Sequence, residues 1–285
     1  MLYRVQIFMC LFFLIFLLCA CSGLNSANTE NQAMKESGPN EEGLRLYSQG
    51  QYKLAIKAFS QALQENPEDP NLYYNRALCY AHCENVGRAL KDYGQALKLN
   101  PRMIPALTNR AVLYVQGQKF DQAIEDLEQA IHVVGETPEL LYNLGLVYLK
   151  NQKWKKAIQY FESGIQLEPQ LAPLYNSKAV AELSLRNSQV AIDDLNQAIY
   201  LNSSRADYYF NRGIAYEQEG ILNKAVDDYT QSLKIDPHHA PAYVNRGMIR
   251  VKLGDIMLGC KDLNLGCDAG LCESYNKMVG QGVCD

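Results

Sequence analysis

Residues 70–103 read PNLYYNRALCYAHCENVGRALKDYGQALKLNPRM, and residues 104–137 read IPALTNRAVLYVQGQKFDQAIEDLEQAIHVVGET. Superposed, they set small residue on small and large apolar on large, and the match runs on in both directions with a period of 34. Ala55, Ala89, Ala123, Ala157, Ala191, Ala225 and Gly259 fall one period apart. Four residues after each stands a bulky side chain: Phe59, Tyr93, Leu127, Phe161, Leu195, Tyr229 and Leu263. Three further on the residue is small again: Ala62, Ala96, Ala130, Gly164, Ala198, Ser232 and Gly266. Steps of four and three keep these on one helical face. A fixed period of this length marks a chain built from stacked supersecondary units.

A second helix is written into the first half of each period. Gly43, Ala77, Ala111, Gly145, Ala179, Gly213 and Gly247 are small, and three residues later stand Leu46, Tyr80, Tyr114, Tyr148, Glu182, Tyr216 and Arg250. Antiparallel helices approach closely only where neither carries a bulky side chain, so the small rows face each other and the large residues fill the gaps between hairpins. Pro67, Pro101, Pro169 and Pro237 end second helices through the missing donor and the clash with the preceding turn. Gly135 and Ser203 stand where two units lack that proline, and those units are expected to end more loosely. In the fifth unit Lys178 and Glu182 replace apolar or aromatic residues. This i, i+4 pair points to a locally exposed or thinly packed joint, as a weak repeat tolerated by its neighbours or as a functional surface.

Over residues 36–266 the pattern resembles the tetratricopeptide-repeat family. The resemblance implies an all-α fold, a right-handed superhelical solenoid of about seven helical hairpins plus a C-terminal capping helix. The units are 36–69, 70–103, 104–137, 138–171, 172–205, 206–239 and 240–266, within a solenoid domain at 40–266. Residues 267–285 are then a cysteine-rich cap, with one more helix over 271–279 and Glu273, Asn276 and Lys277 supplying the polar outer face that the end of a stack requires.

The N-terminus has a different character. Arg4 precedes an apolar run from Val5 to Leu18 broken only by Gln6, which reads as an export signal. As a permanent span it is short, since a bilayer needs about 20 apolar residues. The run ends in Leu18-Cys19-Ala20-Cys21, which resembles the lipobox of bacterial lipoproteins except at Cys19, where Ala, Ser or Thr is more usual. That resemblance implies a signal peptide at 1–20, lipidation of Cys21, and no retention Asp at Ser22. It places the chain in the bacterial envelope, on the outer membrane facing the periplasm. A simple secretory signal and an uncleaved anchor are the alternatives. Residues 21–39, rich in Ser, Asn, Gly, Glu and Gln, read as a flexible tether.

Beyond Cys21 the exported chain would hold Cys79, Cys83, Cys260, Cys267, Cys272 and Cys284. Disulfides persist in an oxidising compartment. If the last second helix and the cap helix run antiparallel, Cys267 and Cys272 flank the shared turn and Cys260 and Cys284 meet at the other end. The expected pairs are therefore nested, Cys260 with Cys284 and Cys267 with Cys272. Free thiols and zinc are the other readings, although the spacing holds no Cys-x-x-Cys and the nearest histidines, His238 and His239, lie in the preceding turn. Cys79 and Cys83, one turn apart, read as small buried apolar residues.

With 48% hydrophobic and 20% charged residues, a net charge of −4 and Lys and Arg scattered among acids, the chain presents no footprint for nucleic acid. No catalytic triad, paired-carboxylate pocket, phosphate-cradling loop or metal cluster is evident, so neither an enzyme, a cofactor nor a small-molecule substrate is expected. In the family the first helices line a concave groove that takes peptides or partner helices. The residues expected there are Tyr74, Asn75, Leu78, Thr108, Asn109, Val112, Tyr142, Asn143, Leu146, Ser177, Val180, Phe210, Asn211, Ile214, Val244, Asn245 and Met248. The amide row resembles the asparagine ladder in the repeat domain of O-GlcNAc transferase. Such amides can bond a peptide backbone or brace neighbouring helices. Arg76, Arg110, Arg212 and Arg246, one residue past the amides, are expected to lean on helix surfaces. Asn71, Pro105, Glu139, Pro173 and Asp207 stand where the family's carboxylate clamp needs cations, which argues against recognition of a terminal carboxylate. The expected function is a membrane-anchored scaffold or adaptor in envelope assembly that binds proteins or peptides. The alternatives are a spacer lipoprotein and the non-catalytic subunit of an enzyme complex.

Overall fold

The computed structural model describes residues 38–284. The signal segment, Cys21 and most of the tether lie outside the described residues. Seven hairpins follow in order: α1 (Pro39–Ser48) with α2 (Tyr52–Glu65), α3 (Pro70–His82) with α4 (Val86–Leu99), α5 (Ile104–Gln116) with α6 (Phe120–Val134), α7 (Pro138–Lys150) with α8 (Trp154–Leu167), α9 (Ala172–Ser184) with α10 (Ser188–Leu201), α11 (Ala206–Gln218) with α12 (Leu222–Ile235), and α13 (Ala240–Lys252) with α14 (Ile256–Asp268). A last helix, α15 (Glu273–Gly280), closes the chain. No strand is present among the described residues.

The described residues form two compact units, divided after Glu136. The first contains α1 to α6 and the second α7 to α15. Within each unit a second helix packs on its own first helix and on the first helix of the next hairpin. First helices also reach one another, α1 with α3, α7 with α9 and α9 with α11, so they line the inner side of each stack.

Close approach inside a hairpin is set by pairs sixteen residues apart. A Cβ added at Gly43 would lie 2.6 Å from the Phe59 ring and one at Gly213 would lie 2.7 Å from Tyr229, and Gly145 meets Phe161 in the same way. Where the large partner is Leu127 or Leu195, the small one is Ala111 or Ala179. Ring volume and the missing methyl compensate one another in these five pairs, whereas Ala77 stands opposite the Tyr93 ring and Gly247 opposite Leu263. The turn inside each hairpin requires a left-handed residue, which is Gly50, Gly220 or Gly254 in three units and Glu84, Gln118, Gln152 or Arg186 in the others, the last at φ 65°.

The prolines act as expected, each two residues past the end of its helix. The unit with Ser203 does not end loosely. Its helix α10 stops in register with α8 and α12, and Asn202 Oδ1 accepts from the Ser204 backbone N–H at 3.0 Å and the Ser204 hydroxyl at 2.8 Å, the same Asx turn that Asn100 and Asp236 make beside their prolines. The other variant unit does differ: α6 runs one residue further, to Val134, and Gly135 follows at φ 84°.

At the C-terminus α14 extends two residues past the expected boundary at 266, so Cys267 belongs to the last hairpin. Disulfides join Cys260 to Cys284 and Cys267 to Cys272, the nested arrangement. They hold α15 over Leu263, where Met278 is buried with Val244, Met248 and Tyr275 packed around it. Glu273, Asn276 and Lys277 are exposed on the outside.

Candidate functional site

The recurrent arginines do not lie on helix surfaces. Each of the four forks onto an aspartate sixteen residues later, in the second helix of its own hairpin. Arg76 Nε and Nη2 donate to Asp92 at 2.7 and 2.9 Å, Arg110 to Asp126 at 2.8 and 2.6 Å, Arg212 to Asp228 at 2.8 Å twice, and Arg246 to Asp262 at 2.8 and 2.7 Å. All four aspartates are buried. In three of them Nη1 also reaches back sixteen residues to the preceding hairpin: Arg76 to Ser60 Oγ at 3.1 Å, Arg212 to Asn196 Oδ1 at 2.7 Å and Arg246 to Thr230 Oγ1 at 3.0 Å. Each such guanidinium clips three helices together, using the planar fork that an ammonium lacks. Burial pushes the Asp126 carboxyl up, with Arg110 opposing it. The aspartate row repeats at the same period as the small rows, and that spacing was the signal available for it in the sequence.

The fifth unit departs from this pattern. Lys178 holds the arginine's place, with Asp194 Oδ1 at 3.1 Å and Glu162 Oε1 at 3.7 Å. Asp194 Oδ2 is buried without a partner, and burial pushes the carboxyl up to about 6 against the pull of Lys178. Glu182 is not on an exposed joint. It is buried and accepts from Asn187 Nδ2 at 2.7 Å, on a helix whose residues Ala179 to Leu183 are all buried. The expectation failed because Lys178 turns toward α10 rather than along its own helix.

The two inner faces differ in what they leave open. In the first unit Tyr74, Asn75, Leu78, Thr108, Asn109 and Val112 are all half-buried. Asn109 Nδ2 donates to Tyr74 Oη at 3.2 Å, and the Thr108 hydroxyl turns back to the Ile104 carbonyl at 3.1 Å. Leu44, one period before Leu78, is 46% exposed. In the second unit Tyr142, Ser177, Val180, Phe210 and Ile214 are buried, while Asn143, Leu146, Asn211, Val244, Asn245 and Met248 are half-buried. Tyr142 bonds Ser177, and burial pushes its phenol up. Asn211 Nδ2 donates to Asn176 Oδ1 at 2.8 Å. Asn245 donates to Tyr229 Oη at 3.3 Å, and that hydroxyl donates to Glu217 at 3.1 Å. Phe210 packs on the His239 ring at 4.6 Å between centroids. Three amides of the row thus brace neighbouring side chains, whereas Asn75 and Asn143 make no side-chain hydrogen bond among the described residues.

Cys79 is a free, fully buried cysteine whose thiol is pushed up to about 12 by burial, with Cys83 adding to the shift. Cys83 is free and half-buried. Among the described residues no group of three or more His, Cys, Asp or Glu is placed to hold a metal ion, and no helix is long and apolar enough to cross a membrane.

Family profiles described as TPR repeat or tetratricopeptide repeat match residues 43–82, 70–103, 108–172 and 206–239, together more than half of the chain. The chain belongs to the tetratricopeptide-repeat family. Among solved structures it is similar to a tetratricopeptide-repeat protein from Parabacteroides merdae, at 22% identity and a TM-score of 0.69 over 86% of this chain and 95% of that one. It is similar to YrrB, described as a TPR protein with an unusual peptide-binding site, at 24% identity and 0.52 over 66% and 96%. It is also similar to pilF of Pseudomonas aeruginosa, at 16% identity and 0.63 over 74% and 97%. At these identities the likeness is one of fold. No curated protein matches the chain. The tetratricopeptide-repeat fold is typically a non-enzymatic scaffold for protein–protein interaction.

Proposed function

We propose that this tetratricopeptide-repeat protein is a scaffold that takes a peptide or helix of a partner protein on the inner side of its first helices. We further propose that a lipid on Cys21 holds it to a membrane of the bacterial envelope, where it serves in envelope assembly. One observation carries the binding reading: the first unit leaves Tyr74, Leu78 and Val112 partly open in successive register beside Asn75, an amide with no side-chain partner among the described residues. An apolar face with interspersed amides suits a peptide more than a highly charged ligand. The peptide-binding site named for YrrB supports the reading. The lipobox-like Leu18-Cys19-Ala20-Cys21 supports the anchor.

A photoreactive residue at Leu78, irradiated in the native cell, is expected to crosslink a defined protein. The double variant Asn75→Ala, Leu78→Ser is expected to weaken capture of that protein at least tenfold. Unchanged capture would make the chain a spacer. Growth with a labelled fatty acid is expected to label the wild type and not Cys21→Ala, and equal labelling would remove the anchor.

A further inference from the structure

We infer that the last hairpin carries a self-association surface, through which two copies of the chain pair along the outward side of α14 around a two-fold axis. This goes beyond the scaffold reading, since it concerns the side of a second helix turned away from α13 and not the face of the first helices. α14 is covered on two sides. A Cβ added at Gly259 or Gly266 would lie 2.6 Å from the Val251 or Val244 side chain of α13, and the disulfides at Cys260 and Cys267 hold the C-terminal segment along its flank. With about 3.6 residues per turn, Met257, Lys261, Leu265 and Asp268 share the remaining side, and all four are exposed, Met257 to 80%.

Two of these residues break the repeat. The position of Met257 holds Lys53, Gly87, Asp121, Lys155, Gln189 and Asn223 in the other hairpins, and that of Leu265 holds Gln61, Gln95, Gln129, Ser163, Gln197 and Gln231. The stack itself therefore needs no apolar residue at either place, and covering the two is favourable. Charge decides what covers them. Lys261 and Asp268 stand seven residues apart, two helical turns, and neither makes an ion pair among the described residues. A two-fold axis passing between Asn264 and Leu265 sets an antiparallel copy of α14 against the first. At a rise of 1.5 Å per residue, Lys261 and Asp268 then lie about 5 Å from the axis on opposite sides. Lys261 of each copy stands level with Asp268 of the other, the reciprocal arrangement that an isologous contact requires. The two Leu265 side chains meet at the axis, and Leu258 of each copy stands level with the half-buried Leu271 of the other. An anionic membrane is a poorer cover, because one lysine and one aspartate leave this side without net positive charge. One helix face falls below the roughly 1,200 Å² of a stable interface, so the pairing is weak, with a Kd on the order of 10 µM.

The test uses the purified full chain in detergent, roughly tenfold above that constant, as two differently tagged copies with a photoreactive residue at Asn264. Irradiation is expected to give a product that carries both tags, and the same photoreactive residue at Lys53 in the first unit is expected to give none. When both copies carry Lys261→Glu, or both carry Asp268→Lys, like charges face each other twice and the doubly tagged product is expected to fall about tenfold. One copy of each variant restores both ion pairs, one of them reversed, and the yield is expected to return to within about twofold of the wild type. Leu265→Ser in both copies is expected to lower the yield about tenfold, as a central apolar anchor would. All three changes fall on exposed residues, and thermal melting checks that the fold survives them. Equal yields from the matched and the mixed charge variants overturn the inference, as does the absence of a doubly tagged product. Crosslinking of Asn264 to lipid instead, after reconstitution into phosphatidylglycerol vesicles, would make this side a membrane contact. The outcome at Leu78 bears on the scaffold reading alone, so the two fail separately.

Discussion

Lys178→Arg should stabilise the second unit and remove a pH dependence from it. Lys178 stands where Arg76, Arg212 and Arg246 each fork onto an aspartate sixteen residues ahead and reach a polar side chain sixteen behind. In the fifth unit those two positions are Asp194 and Glu162. The lysine bonds one oxygen of Asp194 at 3.1 Å, stands 3.7 Å from Glu162, and leaves Asp194 Oδ2 buried without a partner. A guanidinium supplies the missing bond to a charged group, worth about 1.5–3 kcal/mol before the cost of fitting the larger head, so a net gain of about 1–2 kcal/mol is expected at pH 7.5. The pH argument follows from the direction of the shift. Burial raises the Asp194 carboxyl from 3.8 to about 6 in the folded chain. Its contribution to stability is therefore fully present below pH 3.8 and is lost as pH rises through about 6. At about 1.4 kcal/mol per unit, the loss is of the order of 3 kcal/mol. An arginine fork stabilises the charged form and pulls the folded value down, so most of that slope should disappear. Hydrogen exchange of the α9 and α10 amides, corrected for intrinsic rate and read as the ratio of variant to wild type between pH 4.5 and 7.5, measures both effects. Lower protection in the variant at pH 7.5, or an unchanged slope, would refute the clamp argument.

Three further substitutions probe the same architecture. Gly94→Ser places a hydroxyl sixteen residues before Arg110, whose Nη1 lies 3.9 Å from the added Cβ, and should stabilise the first unit by about 1 kcal/mol in urea denaturation through helix propensity and a new bond; a destabilised variant would count against the three-helix clip. Gly145→Ala drives a methyl into the Phe161 ring and should cost about 1–3 kcal/mol by the same assay, and Gly145→Ala combined with Phe161→Leu should recover most of it, as the alanine–leucine pairs at Ala111 with Leu127 and Ala179 with Leu195 indicate. Cys284→Ser opens a staple spanning 24 residues and should lower the stability of the cap by about 3 kcal/mol, read as loss of protection in α15; peptide mapping without reductant that shows four free thiols in the wild type would contradict the pairing.

The repeat, the hairpins, the capping helix and the cysteine pairs were legible because each is set by spacing along the chain. Small residues at Gly43 or Ala77 and large ones at Phe59 or Tyr93 announce a close helix pair whatever surrounds them. The fifth unit departs from the sequence expectation because the bonds of Lys178 and Glu182 run to Asp194 and Asn187 and not to each other across one helical turn. Charged side chains this long choose among several neighbours, and the choice depends on which of those neighbours is buried.

The amide row was legible in position and not in state, for a reason that can be traced residue by residue. Each amide looks for a partner about one turn of the stack earlier, thirty-five residues back. Asn109 finds Tyr74 there, and Asn211 finds Asn176, so both are braced. Ser177 finds Tyr142 in the same register. Asn245 finds Phe210, which offers no polar atom, and turns to Tyr229 in its own neighbourhood. Asn75 finds Asn40, an exposed residue in the first turn of α1, and forms no bond with it. Asn75 thus stays unpaired beside an exposed Asn40 on α1, the first described helix. Asn143, inside the array, is likewise without a side-chain hydrogen bond among the described residues, so bracing engages Asn109, Asn211 and Asn245 and leaves the amides of Asn75 and Asn143 open to a ligand.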